Sequence, residues 1–201
     1  EFLQSLAATG LLVGLNSGAA ASALAADRSA FGGLPLDAQL LGKLLKAAMG
    51  RGGEFAEIYV QDTLSSDVAL DEDKIRSATI GASLGVGIRV IKGLKVGYAY
   101  SDDLSPEALR RTSETAALIA SGKGSWVPVP LKPEMARSLS PIRLEASRAP
   151  IEKKTAMLTA MNEAALRFDP RVGQVMNRCL DSHTYRLIAN TDGLLSEDDD
   201  V

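Results

Sequence analysis

From Ala56 to Tyr100 the chain is written largely in period two, and that alternation limits its possible folds more than any other feature. Ala56, Ile58 and Val60 alternate with Glu57, Tyr59 and Gln61. Successive side chains of a strand point to opposite faces, so this run predicts a strand with one apolar face. Val68 and Leu70 form a second short run that leads into an acidic turn, Asp71-Glu72-Asp73, with Ile75 beyond it. Val86, Ile88 and Val90 share a face, Lys92-Gly93 makes a tight turn, and Val96, Tyr98 and Tyr100 continue on the far side. Two period-two runs joined by a glycine-containing turn predict a β-hairpin.

Helical patterns flank and follow these runs. Pro35 opens one in which Leu40, Leu41, Leu44, Leu45 and Ala48 form an apolar stripe, closed by Gly50, Gly52 and Gly53. Ser105-Pro106-Glu107 is a helix start: a hydroxyl cap, a proline at the first position and an acid at the positive end. Leu109, Thr112, Ala116 and Ile119 carry its inner stripe to Gly122. The proline-rich stretch from Ser121 to Pro150 reads as an extended connector or a surface-hugging loop. A third helix, about Ile151 to Phe168, places Leu158, Met161, Ala165 and Phe168 on one face. Strands over Gly173–Leu180 and Thr184–Ala189 follow, then a turn at Asn190-Thr191-Asp192-Gly193. The expected class is α+β, with helices packed on a largely antiparallel sheet.

Hydrophobic residues at 46% and charged residues at 23% suit a soluble globular protein. A net charge of −3 without a basic cluster gives nucleic acid no electrostatic footprint. Cys179 is the single cysteine, so it forms no internal disulfide and reads as a half-buried strand residue. His183 is the single histidine, in Asp181-Ser182-His183-Thr184, and reads as a solvent-facing turn residue; a dyad with Asp181 lacks an indicated nucleophile. A catalytic zinc site usually takes three protein ligands, commonly including two or three histidines, so this chain does not assemble one by itself. Gly81-Ala82-Ser83-Leu84-Gly85 matches the GxSxG elbow by its letters, but a strand pattern follows where the elbow needs a helix. Gly85-Val86-Gly87 lacks the third glycine of a dinucleotide loop, and Asp71-Glu72-Asp73 lacks the spacing of a calcium loop. The terminal Glu197-Asp198-Asp199-Asp200 run reads as a solvated face or truncated strand. No catalytic, cofactor-binding or metal-binding residue is assigned from local chemistry.

Residues 1–25 read as an export signal. No charged side chain occurs from Phe2 to Ala26, Leu6 to Leu15 is mildly apolar, and Ala23-Leu24-Ala25 fits the small-x-small pattern read by signal peptidase. The apolar run is too short and weak for a stable membrane span. Glu1-Phe2-Leu3-Gln4 resembles the second half of a twin-arginine signal, which predicts two arginines immediately upstream of Glu1 and a periplasmic destination. Residues 26–35 read as a linker, and residues 36–201 as one domain truncated at its carboxyl end.

Between Gly53 and Gly122 the lettering resembles the amino-terminal domain of the TldD/PmbA family. The features are Ala56-Glu57 with Tyr59, Glu72-Asp73 with Ile75, Gly85-Val86-Gly87-Ile88-Arg89, Gly97 with Ala99-Tyr100, and the helix start Asp103 to Ala108. The later stretch Arg186 to Asp200 is similar to a strand before the family's domain boundary, so the resemblance covers most of residues 36–201. It implies a zinc-dependent metallopeptidase whose HExxxH motif lies downstream, in a second domain, with no ligand in this chain. It also implies a TldD-type, zinc-holding subunit that works with a PmbA-type (TldE) subunit or by self-association, on unfolded peptides. The Gly97-Tyr98-Ala99-Tyr100 strand favours the TldD type over the PmbA type. A secreted non-enzymatic binding module is the reading of a different class.

Overall fold

A computed structural model describes residues 34, 36–123, 126–135, 142 and 145–201. The expected signal in residues 1–25 and nearly all of the expected linker, Pro35 included, lie outside the described residues.

The elements run α1 (Ala38–Met49), β1 (Phe55–Asp71), β2 (Lys74–Lys92), β3 (Lys95–Ser101), α2 (Pro106–Ile119), β4 (Lys132–Met135), a short 3-10 turn (Ala146–Arg148), α3 (Ile151–Phe168), β5 (Met176–Asn190) and β6 (Leu194–Asp200). The strands form one sheet in the order β3-β2-β1-β5-β6-β4. The fold is α+β, as expected. The β2–β3 hairpin is antiparallel from Val86↔Ser101 to Lys92↔Lys95, and β5–β6 is antiparallel from Thr184↔Asp200 to Ala189↔Leu195. By contrast, β4 runs parallel to β6.

Local chemistry explains the element ends. Asp37 Oδ1 accepts from the Leu40 amide at 2.7 Å, and Ser105 Oγ accepts from the Ala108 amide at 3.3 Å, so α1 and α2 start on side-chain caps. Gly93 turns the β2–β3 hairpin at φ 56°, a conformation glycine takes without a Cβ clash. At the β1–β2 turn Glu72 and Asp73 both take positive φ, 49° and 62°, without glycine's freedom. Arg76 Nη2 bonds Glu72 at 2.6 Å, and Asn162 of α3 donates to Asp73, which fixes the turn by side chains instead.

The chain divides into two compact units, each contributed to by β1, β2 and β5. One comprises Ser66–Ile80 and Arg148–Leu180 among the described residues; Val68, Leu70 and Leu158 are its buried apolar cluster, with Ile151 and Cys179 packed against it. The other comprises Pro35–Ser65, Gly81–Ser147 and Asp181–Val201. There Leu41, Leu44, Leu45 and Ala48 of α1, Ile58 and Val60 of β1, Val86, Ile88 and Val90 of β2, and Leu109 and Ala116 of α2 are buried. In this unit α2 lies so close to β3 that a Cβ on Gly97 would overlap the Ala116 carbonyl oxygen and sit 2.9 Å from the Ala120 amide.

Several expectations need correction. The runs at Ala56–Val60 and Val68–Leu70 are one strand, β1, whose burial alternates without a break over 17 residues. Asp62 and Ser66 hold the inward phase, at 7% and 4% exposure, where apolar letters are missing. The strands expected at Gly173–Leu180 and Thr184–Ala189 are likewise one, β5, and His183 lies inside it at 2% exposure, not in a solvated turn. In α3 the inner stripe is Lys154, Leu158 and Asn162, while Met161 and Phe168 are exposed; the helix is turned so that Lys154 reaches Ser66 and Asn162 reaches Asp73. Ile119 is also exposed, because α2 ends there and Ala116, Ala117 and Ala120 make its last inward contacts. The extended connector contains β4, whose Pro133 is tolerated because β4 is an edge strand.

Gly97→Ala is expected to lower stability to urea by about 1–3 kcal/mol or more, since backbone cannot yield as a side chain can. Gly42→Ala, mid-α1 with nothing within 4 Å of the added Cβ, is expected to raise it by roughly 0.5–1 kcal/mol.

Candidate functional site

Two buried polar arrangements stand out, one in each unit. In the first, Lys154 of α3 donates from Nζ to Ser66 Oγ at 2.6 Å, with the two residues 5% and 4% exposed. A lysine beside a serine hydroxyl is the pairing used by Ser–Lys hydrolases. Here the enclosure of both groups leaves no approach for a substrate, so the pair ties α3 to β1. Alternation on β1 was the signal that could have found Ser66, because position 66 keeps the phase of Leu64 and Val68.

In the second, β5 presents His183 and Tyr185 on the face that also buries Leu187 and Ala189. His183 Nε2 lies 3.1 Å from Asp199 Oδ1 on β6. Burial pushes the Tyr185 hydroxyl well above its ordinary titration range, helped by its hydrogen bond with Glu197 and the charges of Glu197 and Asp199. Tyr185 therefore stays a neutral phenol, able to donate a hydrogen bond but not to act as a base at ordinary pH. The pairings of His183 and Tyr185 run along β6 and hold its acidic half in the sheet.

The other sequence-named residues fall apart spatially and chemically. Ser83 sits exposed on β2, in continuous strand from Lys74 to Lys92, so the strand-to-helix elbow is absent at Gly81–Gly85. Gly85, Val86 and Gly87 belong to the same strand. Asp71-Glu72-Asp73 is the β1–β2 turn, and Cys179 is half-buried against Val68, Leu70 and Leu158. Asp181 lies on β5, two positions from His183 and on the same face. Among the described residues, no group of three or more His, Cys, Asp and Glu side chains is placed to hold a metal ion, and no helix is long and apolar enough to cross a membrane.

A groove of about 740 Å³ in the second unit lies between α1 and α2. Leu40, Leu44 and Pro106 form its floor, while Lys43, Glu107 and Arg110 rim it. Arg110 is held by Glu107 at 2.9 Å and by Glu114, and those bonds raise its pKa and lower that of Glu107. The rim thus neutralises itself and presents no free charge from Arg110.

Charge matters more visibly at the Asp67–Arg178 pair of the first unit, a two-pronged contact with one bond at 2.7 Å. The Arg178 guanidinium holds the Asp67 carboxyl below its ordinary value of 3.8. A depressed carboxylate adds stability that is present above its unfolded pKa and is lost as pH falls through the lower folded one. Arg178→Gln should therefore differ from the parent by a constant amount above about pH 4. That difference should shrink to nothing in more acid solution, read by urea titration across pH.

Comparison with known proteins follows this geometry. A family model described as PmbA/TldA metallopeptidase domain 1 matches residues 56–120, and one described as PmbA/TldA metallopeptidase central domain matches residues 145–201. The metalloprotease TldD homolog of Buchnera aphidicola subsp. Acyrthosiphon pisum is 29% identical over 149 residues, covering 72% of this chain and 30% of that protein. The metalloprotease TldD homolog of Haemophilus influenzae is 27% identical over 168 residues, covering 81% of this chain and 34% of that protein. The chain thus spans about a third of the length of these relatives. Among solved structures, TldE from Thermococcus kodakarensis superposes with a TM-score of 0.62 at 22% identity, over 80% of this chain and 36% of that one. A Thermotoga maritima protein described as a candidate modulator of a DNA gyrase superposes at 0.60 and 21% identity, again over 80% and 36%. These structural likenesses show a shared fold. With two domains of one family matched in chain order on that fold, this chain belongs to the PmbA/TldD metallopeptidase family.

Proposed function

We propose that this chain is the amino-terminal, non-catalytic portion of a TldD-type zinc metallopeptidase that cleaves unfolded peptides. The observation that carries the reading is the set of sequence relatives, which are named TldD homologs and called metalloproteases. The described residues do not fit a metal: the single histidine is buried against Asp199, and no three-ligand cluster accompanies it. The zinc would accordingly be held by residues outside those described, on an HExxxH motif such as active family members carry. The role left to this portion is to form wall and assembly surface, either with a PmbA-type (TldE) subunit or with a second copy.

The solved TldE is a fold relative at 22% identity and does not argue for the PmbA type. The PmbA type remains the second reading, since the fold suits both subunits. Reading the coding sequence beyond Val201 separates them. HExxxH supports the TldD type, a second domain without it supports the PmbA type, and a stop codon supports a binding module. With HExxxH present, the longer protein and its partner should cut an unfolded peptide, lose that activity to a chelator, and regain it with added zinc. Activity indifferent to the chelator would overturn the reading.

The uncharged stretch from Phe2 to Ala26 and the Glu1-Phe2-Leu3-Gln4 lettering support export by the twin-arginine route to the periplasm. If the coding sequence places two arginines just before Glu1, replacing them by lysines should leave the protein in the cytoplasm; continued export would rule the route out.

A further inference from the structure

No further inference is drawn: the strongest candidate, the stretch of β2 from Lys74 to Ser83 that lies exposed beyond its pairing with β3, carries nothing, because nothing in the structure shows what covers it when the chain spans about a third of the length of its relatives.

Discussion

The sheet depends on an unbroken pleat. Over the 17 residues of β1 every second side chain is inward, including Asp62 and Ser66. A one-residue slip in a strand moves its whole buried set to solvent, so one polar residue accepted inside costs less than losing the phase. Ser66 is accepted because Lys154 reaches it, and that bond in turn sets the rotation of α3. The same economy operates on β5, where His183 holds phase with Tyr185 and Leu187 and finds Asp199 across the strand pair.

This explains which parts of the fold were legible in the sequence. The hairpin at Lys92-Gly93, the caps at Ser105 and the span of α3 all rest on short-range chemistry, and each appears where the letters put it. The errors cluster where a polar residue keeps an inward position through a partner distant in sequence. Ser66 and Lys154 are 88 positions apart, and no local window reports such a bond. His183 looked like a turn because Asp181 and Ser182 precede it, and turn letters weigh heavily when the acceptor on β6 is unknown. Met161 and Phe168 are the more hydrophobic residues of α3, yet the helix buries Lys154 and Asn162 instead.

The same geometry bears on function. Among the described residues, Ser66 with Lys154 is enclosed, while His183 is buried beside an exposed Asp199, and both pairings serve the sheet.

Amide hydrogen exchange across Asp181, Ser182, His183 and Thr184 tests the continuous pleat most directly. The account predicts protection there comparable to Leu187 and Ala189, because these amides lie in one paired strand. Free exchange at those four positions, with protection only on either side, would mean two strands and a turn. It would place His183 in solvent and contradict the account.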